Sequence, residues 1–132
     1  MKNYLIDKEI VEFAALKQKE RKALFVVIAQ MIIAVMTVLK VDRAELMEPH
    51  RNRGRKASEA RHILMLLLYA ETPQSKMSRQ VIAEMFGYHS PVVQLKAMRK
   101  KKNNYLFRKR YDIVKAAYDK ISIQEYDDNI PF

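Results

Sequence analysis

The chain has 132 residues and no cysteine, which excludes disulfides and thiolate metal sites. Apolar residues make up 49% of it, too many for a disordered chain and enough for one domain with a modest core. The formal net charge is +10, and it is concentrated: residues 49–110 hold fifteen lysines and arginines against three acids (Glu59, Glu71, Glu84), whereas the remainder holds ten against twelve. A cationic stripe confined to one part of a chain is the footprint expected of a polyanion-binding surface. The simpler alternative is a solvated basic surface with no partner.

Glycine occurs only at 54 and 87, so few turns with positive φ are available. Met, Leu, Ala, Lys, Arg and Glu dominate, and these residues favour helix. The expected fold class is therefore all-α, a helical bundle. The opening Met1-Lys2-Asn3-Tyr4 reaches an acid at Asp7 and lacks the layout of a secretory signal. A cytoplasmic, nucleoid-associated location is the matching expectation.

Residues 5–22 read as an amphipathic helix, with Ile6, Ile10, Phe13 and Leu16 at near-helical spacing. Residues 23–39 (ALFVVIAQMIIAVMTVL) are an almost unbroken apolar run. At this length, with Arg21, Lys22 and Lys40 as flanks, the run reaches the lower edge of a membrane span. Gln30 and Thr37 argue against that reading, and a small domain needs a buried helix. The segment is read as a core helix or a dimer or partner interface, and membrane insertion is not expected.

Asp42 is placed to cap a short helix from Arg43 to Met47, which Pro49 ends. Residues 50–56 (HRNRGRK) carry no acid and no large apolar side chain, and read as an exposed basic arm. Helix resumes at Ala57 or Ser58, with Ile63, Leu64, Leu67 and Leu68 toward the core, and Thr72-Pro73 breaks it. Ser78 begins the next helix, whose apolar stripe is Val81, Ile82, Met85 and Phe86, and Gly87 follows as a left-handed cap. Ser90-Pro91 starts another helix, with Ser as cap and Pro in the first turn, running to about Lys102. Asn103-Asn104 separates it from a last helix over Tyr105–Ile121, with Leu106, Ile113, Val114, Ala117 and Tyr118 as packing residues. The acidic end, 122–132, is expected to be loosely held.

Two capped helices joined by a Gly-bearing turn over 78–102 have the layout of a helix-turn-helix. The second of them carries Gln94, Lys96, Arg99, Lys100, Lys101 and Lys102, and no acid lies between Met85 and Tyr111. Such a helix gains free energy beside DNA by releasing phosphate-bound counterions, and its N-terminal residues are the ones that meet base edges.

Several strings here resemble the C-terminal DNA-binding domain of the bacterial replication initiator DnaA. They are Ala60-Arg61-His62-Ile63-Leu64-Met65-Leu66-Leu67, then Ser78, then Ile82-Ala83-Glu84-Met85-Phe86-Gly87, then Leu95-Lys96-Ala97-Met98-Arg99-Lys100. The likeness covers about residues 35–120 and is most specific over 78–100. It implies a helix-turn-helix of the Trp-repressor type. It divides the chain into an N-terminal helical region (1–34), an initiator-like domain (35–121) and an acidic tail (122–132).

The resemblance implies double-stranded DNA binding, in replication initiation or transcription control. It places Arg53 in the minor groove, with Arg51 and Arg55 as neighbours. Arg61, Lys96 and Arg99 match positions near the DNA backbone, and Lys100 closes the recognition helix with Arg99 as a further DNA-binding residue. The family reads its box with Arg-Asp-His-Thr-Thr, where this chain has His89, Ser90, Pro91, Val92 and Val93. Ser90 is then a phosphate donor, Val92 or Val93 a thymine-methyl contact, and an outward Gln94 an adenine reader.

No phosphate loop is present, so the initiator's ATPase chemistry is not expected. His50, His62 and His89 are too dispersed for a metal site, and no serine has a base in a recognisable motif, so neither cofactor nor enzymatic activity is expected. Tyr105, Tyr111 and Tyr118 read as packing residues rather than base-stacking platforms. The rival functional reading is a helical interaction or dimerisation module using residues 23–39, with an incidental basic surface.

Overall fold

The computed structural model describes residues 24–49 and 54–128, with side chains described through residue 121. Six helices and no strand occur among them. Helix α1 has its described part at residues 24–39, α2 is Arg43–Met47, α3 Arg55–Glu71, α4 Arg79–Met85, α5 Val92–Asn103 and α6 Tyr105–Asp128. The amphipathic stretch 5–22 and the residues Arg51 and Arg53 of the basic arm lie outside the described residues.

Helix α3 is the hub, packing against α2, α4, α5 and α6. Its middle is buried on every side: Ile63, Leu64, Met65, Leu67 and Leu68 are wholly enclosed. A leucine-rich helix with neighbours all round needs no polar face. It starts at Arg55, two residues earlier than the composition suggests, with Gly54 in the cap position. Arg55 therefore sits in a helix turn, still exposed, rather than in an extended arm. At the other end Thr72 turns its hydroxyl back to donate to the Leu68 carbonyl, and Pro73 follows where helix cannot continue.

Helix α1 uses one side for the core. Met31, Ala34 and Val35 are fully buried in the same apolar cluster as α3, Phe86 and Phe107. Its other side leaves Phe25, Val26 and Ile33 exposed. No helix among the described residues is long and apolar enough to cross a membrane. The helix runs unbroken across residues 34 and 35, the expected boundary between the N-terminal region and the initiator-like region.

Helix α2 is held by a full capping box. The Asp42 carboxylate accepts from the Glu45 amide at 2.7 Å, and Glu45 in turn accepts from the Asp42 amide at 3.2 Å.

Helix α6 corrects the expected packing face. Phe107, Tyr111, Val114 and Tyr118 are buried, at spacings of four, three and four residues, whereas Leu106 and Ile113 face outward. Tyr105, expected to pack, is 65% exposed. Asn104 both ends α5 and starts α6, its side-chain oxygen accepting from the Phe107 amide at 3.1 Å. The helix continues to Asp128, so residues 122–128 are helical rather than a loose tail. Arg110 pairs with Glu59 and Lys115 with Glu71, each at 2.6 Å, which fastens α6 along α3.

Candidate nucleic-acid interface

The geometry of the α4–turn–α5 unit begins with its caps. The Ser78 hydroxyl accepts from the Val81 amide at 3.2 Å and starts α4. At the other end Gly87 takes φ +80°, and two reversed bonds close the helix: Tyr88 donates to the Ala83 carbonyl and Gly87 to the Glu84 carbonyl, both at 3.0 Å. This is a complete Schellman cap, and a side chain at 87 would oppose its backbone angle.

The turn that follows is pinned. Gln80 Nε2 donates to the His89 carbonyl at 3.0 Å and to the Glu84 carboxylate at 3.1 Å. Ser90 Oγ accepts from the Val92 amide at 3.3 Å. Helix α5 therefore begins at Val92, one residue later than expected, with Pro91 in the cap position and Ser90 still serving a free amide.

Where α5 crosses α4, Gln94 is the joint. It is 2% exposed, and its Nε2 donates to the Arg79 carbonyl at 2.5 Å. A buried amide left unpaired costs about 1–3 kcal/mol, so this bond fixes the angle between the two helices. Gln94 does not face outward and is committed to the fold, which removes it as an adenine reader. Ala97, one turn on, lies flush against the core.

The opposite face of α5 is the candidate interface. Val92, Leu95, Lys96, Arg99 and Lys102 are all exposed, and their spacing keeps them on one side. Lys96, Arg99 and Lys102 form no ion pair among the described residues. The three differ from Arg110 and Lys115, whose charges are met by acids. Along the chain the nearest acids to this helix are Glu84, which Gln80 engages, and Asp112.

Several expected site residues stand elsewhere. Arg61 is 3% exposed, and its guanidinium donates to the Glu45 carbonyl at 2.5 Å, so it holds the C-terminal half of α2 rather than facing solvent. Val93 is half-buried and packs on the core. Lys100 is half-buried, its ammonium 5.6 Å from the Phe107 ring centre, and Lys101 lies 3.9 Å over the Tyr111 ring. These two cations are drawn back onto α6. His89 and Ser90 are exposed beside the start of α5, and Arg55 is exposed at the start of α3.

Leu95 and Lys102 were not among the residues expected to contact DNA, although Lys102 was counted in the cationic run of this helix. A helical wheel puts both beside Arg99. With no face assigned to the helix, and the burial of Gln94 and Ala97 not visible in the sequence, the outward side did not stand out.

His62 projects from α3 toward α5. Burial presses its pKa down to about 4, helped by the positive charges of Lys100, Arg61 and Lys96 and opposed by Glu59. It is therefore neutral near pH 7. Among the described residues no group of three or more acids, histidines or cysteines is placed to hold a metal ion. An open groove of about 420 Å3 lies beside the interface, lined by Leu66, Tyr69, Met98, Lys101, Arg108 and Tyr111 among others.

Comparison with family models, with curated proteins and with solved structures gives no match. The functional reading therefore rests on the geometry above and on the sequence resemblance.

Proposed function

We propose that this protein binds double-stranded DNA, non-enzymatically, with α5 as the recognition helix lying in the major groove. The observation that carries the reading is the outward face of α5, where Lys96, Arg99 and Lys102 stand exposed, without an ion pair among the described residues, on a helix bonded to α4 through Gln94. Cations along one outward helix face suit phosphates, since each phosphate met releases condensed counterions. Ser90 and His89 flank the entry to the groove, and Arg55 extends the positive surface from α3. The resemblance to the initiator's DNA-binding domain supports the same placement and suggests a role in replication initiation or transcription control.

The test is fluorescence anisotropy of a labelled duplex, titrated at several salt concentrations, with the unmodified chain and with a Lys96→Glu/Arg99→Glu variant. Affinity should fall steeply with salt. The variant should bind on the order of a hundredfold more weakly, with a salt slope shallower by about 2, because two phosphate contacts are lost. Both side chains are exposed, so the melting temperature should hardly move. Unchanged affinity and slope in the variant would remove α5 from the interface.

One observation favours a second reading. The exposed Phe25, Val26 and Ile33 of α1 would suit a helical interaction module. That reading predicts self-association or a protein partner with no salt-sensitive DNA affinity.

A further inference from the structure

We infer that α5 selects thymine-bearing base pairs, with Val92 and Leu95 reading the thymine 5-methyl group. This rests on the duplex-binding reading above and says what the same site would prefer.

The argument begins with which side chains can reach a base edge. In a helix-turn-helix the N-terminal part of the recognition helix lies closest to the bases. In α5 that part offers Val92, 51% exposed, and Leu95, 43% exposed. Gln94, the amide that would pair with adenine, is buried and bonded to Arg79. No carboxylate stands in the first turn of α5 to accept from cytosine. Between Ser90 in the turn and Lys96, the exposed side chains that α5 itself offers to the base edges are aliphatic.

Single exposed apolar residues are ordinary on protein surfaces. These two are different in placement. They stand three residues apart on the outward face, a rise of about 4.5 Å along the helix axis. One base pair rises about 3.4 Å, so the two side chains can address neighbouring steps. Lys96 and Arg99 continue on the same face and would hold the backbone.

Chemistry then decides which base they favour. The thymine methyl is the one major-groove group that an aliphatic side chain can cover without loss. The guanine O6 and N7 and the cytosine N4 would each lose water against Val or Leu and gain no partner. Adenine N6 and N7 carry the same cost, so the methyl is what distinguishes the bases, and the face favours thymine at those positions. Covering one methyl-sized group contributes about a fourfold gain in affinity, and two give about fifteenfold.

Replacing thymine by uracil in DNA removes the methyl and leaves the pairing edge intact. The probes are an A·T-rich duplex with thymine in every register and the same duplex with uracil at each thymine. Both are titrated by anisotropy at a salt concentration where binding to the first is measurable. The expected result is about fifteenfold weaker binding to the uracil duplex. A Val92→Ala/Leu95→Ala variant, checked by its melting curve, should bind the two duplexes alike. Equal, salt-sensitive binding of both duplexes by the unmodified chain overturns the methyl reading and leaves duplex binding standing. A thymine preference that survives in the double variant assigns the selection to other residues and likewise overturns it. Absence of salt-sensitive binding to either duplex removes the duplex reading itself, and this inference with it.

Discussion

Helices α3 and α5 cross one another, yet they spend their side chains in opposite ways. Nine of the seventeen residues of α3 are buried, including an arginine, whereas only Gln94 and Ala97 of the twelve in α5 are. The contrast shows where stability resides and which helix leaves a face open for the proposed recognition. Removing water from α3 holds the domain together, at roughly 1.5–3 kcal/mol for each large apolar side chain. Helix α5 is held by a narrow strip and leaves Lys96, Arg99 and Lys102, with Val92, Leu95 and Met98, to solvent. Arg61 and Arg99 make the comparison at the level of one residue type. The first is sealed against the Glu45 carbonyl, and the second is open and unpaired.

The largest effect expected from breaking this comparison is at Arg61. Arg61→Ala would empty buried space and leave the Glu45 carbonyl without its charged donor. The expected cost is about 2–4 kcal/mol of folding stability. Urea unfolding measures it. The DNA affinity of the fraction that remains folded should stay within about threefold of the unmodified chain, against the far larger loss expected for Lys96→Glu/Arg99→Glu. An arginine-to-alanine change here that lowers affinity while stability is kept would put Arg61 on the DNA after all.

Much of this architecture is legible before any coordinates. Asp42, Ser78 and Gly87 announce their caps because capping is local: a short side chain, or a missing one, serves backbone groups within three residues. The leucines of α3 announce a core helix because nothing else accommodates such a run. What was not legible depends on neighbours far along the chain. Arg61 reads as a surface cation until α2 is seen to place a carbonyl against it. Gln94 reads as a base contact until α4 is seen to take its amide. Ile113 and Val114 are adjacent and equally apolar, and only the crossing of α3 over α6 decides that Val114 is the buried one. The outward face of α5 was half legible. Its charge was plain, but its phase was set by the burial of Gln94 and Ala97 against neighbours far along the chain.

A smaller effect is expected at the seam between the two helices, where His62 of α3 lies under Lys96 and Lys100 of α5. Its folded pKa of about 4 lies below the ordinary value of 6.5. Above pH 6.5 it is neutral in both folded and unfolded chains, and its contribution is fully present. As pH falls from 6.5 toward 4 the unfolded chain takes up the proton first, so stability is lost across that window. Allowing for partial exposure, the loss is on the order of 1–2 kcal/mol. His62→Gln cannot titrate, so its unfolding free energy should fall less than that of the unmodified chain between pH 7 and pH 4.5. Parallel pH profiles for the two proteins would mean that the α3–α5 seam does not resist charge at this position.

The smallest effect sharpens the comparison from the stability side alone. Lys40 ends α1 with φ +54°, the one non-glycine residue with positive φ among those described. A left-handed conformation costs a side-chain-bearing residue about 1–2 kcal/mol relative to its usual regions. Glycine adopts it freely but gives up more entropy on folding, so part of that gain is returned. Lys40→Gly should therefore stabilise the domain by about 0.5–1 kcal/mol, visible as a melting temperature higher by about 2–5 °C. Lys40 lies between α1 and α2, remote in sequence from α5, and its loss removes one of 25 cations. If recognition resides on α5, duplex affinity and its salt slope should be unchanged by this substitution while stability rises. A fall in affinity as large as that of the α5 charge reversal would show that the positive surface reaches across to the α1–α2 turn, and the division between a helix that holds and a helix that reads would have to be redrawn.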